Sequence, residues 1–247
     1  MSNTSIYFKS GTSTSISLCG VVETARFVES RNMTSITLVT RAIFVRKDGQ
    51  PGGIDRKVAV YIDGAFQANA GDVILVSGSL ILSELKGTGK YPVRFERVVA
   101  EHIENLGASA APEKVLGLNR AVIIGRVGKV RPIKCASGKA GASLSIAVSR
   151  SRNEGEGKTE VTDWHEILLF SRQAENALKY VHTADQLMLI GAVELRPVAV
   201  GEAQKNLLRF TPAAFSVLSR KTGNRQADEQ TDEAPAAADA DSMDPPF

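Results

Sequence analysis

The sequence predicts an all-β protein made of two small barrels in tandem, followed by an acidic tail with no fold of its own. Three observations predict it. Short runs of alternating apolar and polar residues recur between turn residues, which is the pattern of half-buried strands. The same order of runs occurs twice, at an offset that grows from 105 residues (Gly20 to Gly125) to 113 residues (Gly78 to Gly191). After Arg220 the composition collapses to Ala, Asp, Glu, Gln and Pro, which cannot bury enough apolar surface to offset the entropy of ordering.

The second half carries the cleaner signal. Strands are expected over Ala121–Val127, Leu144–Ser149 and Trp164–Phe170. Ser171 is a candidate N-cap, and Ala174, Ala177, Leu178 and Val181 fall at i, i+3, i+4 and i+7, one face of a short helix. Leu187–Leu195 and Asn206–Val217 complete five strands, with the helix between the third and the fourth. That is the order of an OB-fold, a partly open barrel whose face and loops bind oligonucleotides. In the first half Ile16-Ser-Leu-Cys-Gly20-Val-Val aligns with Ala121-Val-Ile-Ile-Gly125-Arg-Val, Val39-Thr-Arg41 with Val148-Ser-Arg150, and Gly71–Gly78 with Ala184–Gly191. The growing offset makes the first copy shorter in its middle, and its helix, near Ala65–Ala70, is the expected loss. The expected domains are 1–104, a divergent first OB-fold; 105–116, a small, Pro-bounded linker; 117–220, the second OB-fold; and 221–247, the disordered tail.

Composition bounds the function. Of 247 residues 43% are hydrophobic, and no run approaches the ~18 consecutive apolar residues of a membrane span. Met1–Ser10 lacks the basic and apolar blocks of a secretory signal, so the expectation is a soluble cytoplasmic protein with no membrane partner. Cys19 and Cys135 are too few and too distant for a disulfide framework or a metal cluster. The segment from Gln226 to Phe247 carries a charge of −7 against a chain total of +3, which leaves +10 on the rest. A basic body with a competing acidic end points to a polyanion partner, with nucleic acid first and an anionic membrane the other source of such charge.

Holding single strands without reading sequence requires flat π surfaces for bases and cations for phosphates. In the third strand of the second copy Trp164, Glu166, Leu168 and Phe170 alternate on one side and His165, Ile167 and Leu169 on the other. Trp164 is either a core residue or a base platform. If Ile167 and Leu169 face the interior, Trp164 and Phe170 share the outer face, and Arg150, Arg152 and Arg172 nearby favour the platform. Arg126 in the first strand and Lys134 beyond it complete the cationic candidates.

Asn119–Gly128, Ala147-Val-Ser-Arg150, Thr162-Asp-Trp-His-Glu-Ile-Leu-Leu-Phe170 and Leu189-Ile-Gly191 resemble the bacterial single-stranded DNA-binding protein family over about one hundred residues of the second copy. The resemblance places base-stacking aromatics at Trp164 and Phe170 and a phosphate contact at Arg172. Two further positions where the family often has a stacking Trp are here Arg152 and Val198, so binding should lean on charge. The first copy matches by strand pattern alone. Its Arg41 and Tyr61 are candidate contacts, with Phe44 and Tyr91 as further platforms and Arg46, Lys47, Lys86 and Lys90 as further cations; it either touches DNA or serves assembly.

The resemblance also assigns the tail tip, Asp244-Pro245-Pro246-Phe247, to docking on replication, recombination and repair proteins. Phe247 can fill an apolar pocket while its terminal carboxylate pairs with an Arg, and the prolines limit the freedom lost on binding. By analogy, two barrels per chain imply a homodimer with four OB-folds, associated with the bacterial nucleoid. The alternative is an OB-fold RNA-binding or recombination-mediator protein.

No catalytic residue, metal or cofactor is expected. Gly87-Thr-Gly-Lys90 lacks a phosphate loop's first Gly, since Glu84 stands there, and has Tyr91 where Ser or Thr is needed, so it reads as a hairpin turn. His102, His165 and His182 have no metal-ligand spacing. Asp163, His165 and Glu166 alternate across a strand and do not converge.

Overall fold

The computed structural model describes residues 6–8, 11–85, 92–135, 138–154, 157–200 and 203–220. Eleven strands and one helix run in the order β1 (Ile6–Phe8), β2 (Ser13–Val28), β3 (Met33–Val45), β4 (Pro51–Asp63), β5 (Asp72–Leu85), β6 (Val93–Ala108), β7 (Leu118–Lys134), β8 (Ala140–Glu154), β9 (Gly157–Phe170), α1 (Ser171–Tyr180), β10 (Gln186–Val200) and β11 (Ala203–Ser219). Short 3-10 turns lie at Glu29–Arg31 and Pro112–Lys114. The all-β prediction holds, with the one helix between the third and fourth strands of the second copy.

The first barrel closes on itself. β2 pairs β3, β3 pairs β4, β4 pairs β6 in parallel, β6 pairs β5, and β5 returns to β2. The second barrel follows the same path through β9–β8–β7–β10–β11, but among the described residues no ladder joins β9 to β11. It is therefore open along one side. Alternate residues fill each interior: Leu18, Ile36, Leu38, Val58 and Ile74 in the first, Ile123, Leu144, Ile146, Ile167, Leu169 and Leu187 in the second. A single apolar core runs through both. The barrels are joined edge to edge by antiparallel pairing of β2 with β7, from Ser13 opposite Ile124 to Cys19 opposite Leu118.

The repeat is visible atom by atom. Gly71 donates its N–H to the Val22 carbonyl at 2.9 Å, and Ala184 donates to that of Val127 at 2.7 Å. Both have positive φ, 95° and 74°. One residue on, the Asp72 carboxylate accepts from the Asn69 N–H and the Asp185 carboxylate from the His182 N–H, each at 2.9 Å. A Cβ added to Gly20 or to Gly125 would lie 2.6 Å from the carbonyl oxygen of the next strand, Val39 or Ala147. Only glycine permits that approach in either copy.

Several expectations are corrected. The pairing of Val21 with Val39 and of Arg126 with Ala147 makes Val39 the counterpart of Ala147, so matching Val39-Thr-Arg41 with Val148-Ser-Arg150 is one residue out of register. A one-residue slip exchanges the two faces of a strand, and Arg41 and Arg150 accordingly point to opposite sides. Residues 105–108, assigned to the linker, are strand: Asn105 pairs with Ile74 and Ala108 with Asp72. Ile6–Phe8 pairs with Arg150–Arg152 of the second barrel, although residues 1–104 were assigned to the first. Ser171 is the first helical residue rather than the cap, with φ of 52° and no side-chain cap bond at the helix start. The expected loss of the first copy's helix is seen, since residues 65–69 form no helix. Gly87–Lys90 lies outside the described residues, but the strands flanking it pair as a hairpin does, up to Leu85 opposite Val93.

Candidate nucleic-acid interface

The outer face of β7, β8 and β9 forms three parallel columns. On β9 the alternation is strict: Trp164, Glu166, Leu168 and Phe170 are exposed, Trp164 by 43% and Phe170 by 52%, while Asp163, His165, Ile167 and Leu169 are buried. Opposite them on β8 stand small residues, Ala147, Ser145, Ser143 and Gly141 in turn. Beyond these on β7 stand Arg126, Lys129, Arg131 and Ile133. Neighbouring strands are about 4.8 Å apart, so an aromatic and apolar column faces a cationic column across a shallow trough roughly 10 Å wide. Flat groups can lie on β9, and the small residues of β8 let Trp164 reach across to Gly128 of β7, while Ser143 and Gly141 are covered. Anions between the columns meet Arg126, Lys129 and Arg131, all exposed.

Trp164 is placed by a glycine. The edge of its ring reaches Gly128 of β7, where an added Cβ would come within 2.4 Å of Cζ3. The rim of the indole thus abuts bare backbone. In the first copy the equivalent row is Lys57 opposite Val39 and Val21, and Lys57 pairs with Glu23 instead. The same place in the fold holds an aromatic platform in one barrel and an exposed ion pair in the other.

The remaining candidates divide. Arg172 is exposed in the first turn of α1, two residues from Phe170, and Lys134 is exposed at the end of β7. Arg152 pairs through its backbone with Thr159 and Ile6, and its side chain lies outside the described residues. Arg150 is not part of the face. It is 8% exposed, and its Nε and Nη2 donate to the two oxygens of Asp163 at 2.6 and 3.2 Å, inside the seam between the barrels. It continues the inward row of Leu144, Ile146 and Val148 on β8. Arg41 is half-buried and donates two bonds to Asp55, both 2.7 Å, and this pairing holds the Asp55 carboxyl below the usual carboxylate range. Tyr61 is half-buried with the Arg97 guanidinium 4.4 Å from its ring centre, so one face is covered. Phe44, 43% exposed, and the exposed Arg46 and Lys47 lie around the β3–β4 hairpin tip. Val198, expected from the resemblance to stand at a platform position, is half-buried on β10. Lys86, Lys90, Tyr91 and Asp244–Phe247 lie outside the described residues.

Two cations of the face, Lys129 and Arg131, were not found from sequence. The register shifts between Val127 and Lys129, so the outward set runs Arg126, then Lys129 and Arg131. A period-two reading from Arg126 points to 128, 130 and 132 instead. The Val-Gly pair after Arg126 is the only local signal of the bulge.

Asp163 and His165 are engaged in the seam. The Asp163 carboxylate also accepts from the Leu82 N–H at 3.4 Å, and His165 Nδ1 lies 3.4 Å from Glu96 Oε1 of the first barrel, both side chains buried. These groups join barrels; Glu166 points the other way, toward Ser143, whose hydroxyl donates to it at 3.0 Å.

Comparison with known proteins agrees with this geometry. The model of the Single-strand binding protein family matches residues 118–208, from the start of β7 into β11. The crystal structure of the wild-type single-stranded DNA binding protein from Thermus aquaticus superposes with a TM-score of 0.61 at 18% identity, covering 89% of this chain and 99% of that one. A deletion mutant of the same protein gives 0.62 at 17%, covering 88% and 100%. At such identities the likeness is one of fold, and it extends over both barrels. The match to the Single-strand binding protein family thus takes in the second barrel, with the aromatic strand β9 and the small residues of β8 beside it.

Proposed function

We propose that this protein coats single-stranded DNA without reading its sequence, serves replication, recombination and repair, and recruits partner proteins through Asp244-Pro-Pro-Phe247. The observation that carries the reading is Trp164, exposed on β9 with Phe170 on the same side and Arg126, Lys129 and Arg131 across the trough. Stacking is indifferent to which base is offered, because every base has a π face, and phosphate contacts are indifferent to sequence altogether. No edge-reading groove of the kind that enters duplex DNA is needed.

The first barrel contributes less in the equivalent place, where Lys57 and Glu23 neutralise each other. Assembly as a homodimer with four barrels fits the outer face of the β5–β2–β7–β10 sheet, where Leu75 and Leu118 are exposed in one row with Cys19. Burial there raises the Cys19 thiol pKa, and neither Cys19 nor Cys135 forms a disulfide.

One paired experiment tests both halves of the reading. Trp164→Ala should weaken binding to oligo-dT by about 1–3 kcal/mol, roughly 5- to 150-fold. Deleting Phe247 should leave that affinity intact and abolish co-purification with replication and repair proteins. Unchanged affinity in the first variant removes the coat; unchanged recruitment in the second removes the tail's role. Preference for a matched RNA over oligo-dT would favour the RNA-binding alternative.

A further inference from the structure

The open side of the second barrel, between β9 and β11, does not face solvent directly. The β5–β6 hairpin of the first barrel stands against it, with Leu208 of β11 paired to Glu96 of β6 and the Leu82 N–H donating to Asp163. What remains is a cleft of about 230 Å³ lined by Trp164 and Glu166 of β9, Arg131 of β7, Ser145 of β8, Arg209 of β11, and Leu82, Arg94 and Glu96 of the first barrel. Three arginines from three strands thus converge beside the one exposed indole.

Resting on the coat reading, we propose that this seam cleft is a nucleotide subsite shared by both barrels: one base stacks on Trp164 while the adjoining phosphate is received by Arg94 and Arg209. The residues suit that task. Among the described residues Arg209 and Arg131 have no ion-pair partner, so their charge is not already committed. Among the described residues Arg94 pairs with Glu84 at 2.9 Å, with both side chains about half exposed. Such an exposed pair is weak, so exchanging Glu84 for a phosphate costs little. Glu96 lies at the cleft but is 4% exposed and faces His165, so it forms part of the seam rather than an opposing surface charge. The volume is below the ~300–1,000 Å³ of sites for drug-sized ligands and suits a single flat group with its phosphate outside. The consequence is a path: the strand leaves the β7–β9 face across the seam, and the first barrel touches DNA through β6 although its own platform position is an ion pair.

The experiment uses the full chain and its single tryptophan, Trp164. Affinity for oligo-dT is measured against NaCl concentration for the wild type, Arg94→Ala, Arg209→Ala and the control Lys114→Ala, with tryptophan emission followed throughout. Each lost phosphate contact lowers the slope of log K against log salt by about 0.7. Arg94→Ala and Arg209→Ala should each show that drop with the quenching at saturation retained, while Lys114→Ala matches the wild type. Wild-type slopes in both arginine variants, or weaker binding at an unchanged slope, overturn the subsite. A wild type that neither binds nor quenches overturns the coat reading instead, so the two failures are distinguishable.

Discussion

At the scale of single residues the account turns on Trp164 and Gly128. An exposed indole costs apolar surface left in water, and it keeps one position because the glycine at 128 leaves a seat for the rim of the ring. Gly128→Val should therefore push the ring off its seat. Binding should fall about tenfold, within the 1–3 kcal/mol of one stacked base, while the melting temperature stays near that of the wild type because the site is outside the core. A titration of this variant with oligo-dT that overlays the wild type would show that the seat is incidental. Parity on β9 was legible in the sequence because seven consecutive residues alternate without a bulge. The role of Arg150 was not: it continues the inward row of Leu144, Ile146 and Val148, and the seam that buries its pair with Asp163 depends on the first barrel packing there.

At the scale of elements the duplication was legible, since strand order, the glycines at 20, 125, 78 and 191, and the missing helix follow from spacing alone. Bulges, the pairing of Ile6–Phe8 with the other barrel, and the extension of β6 to Ala108 were not, because each depends on a partner strand distant in sequence. The turn leading into β5 carries a testable charge. The Asn69 N–H and then the Asn105 amide bind the Asp72 carboxylate and lower its pKa, so the folded state favours the ionised form. A group with a depressed folded pKa stabilises above its unfolded value, about 3.9, and loses that contribution as the pH falls through the folded value. Asp72→Asn should melt below the wild type at pH 7, and the difference should shrink as the pH falls below about 4. A difference constant across that range would contradict the assignment.

At the scale of the whole molecule two barrels act as one body. The β2–β7 ladder makes one sheet of both, and the buried pairs Arg150–Asp163 and His165–Glu96 line the seam, where the first barrel stands against the open side of the second. Sequence charge showed that the body is basic and the tail acidic; it could not show that the cations gather on β7, β6 and β11 around one aromatic. The central claim is that Trp164 stacks on nucleobases beside those cations, and tryptophan emission during titration with oligo-dT at rising NaCl tests it most directly, since the chain has no other tryptophan. Strong quenching on binding, with log K falling linearly against log salt, is the predicted result. Tight binding that leaves the emission unchanged, or that is indifferent to salt, would contradict it.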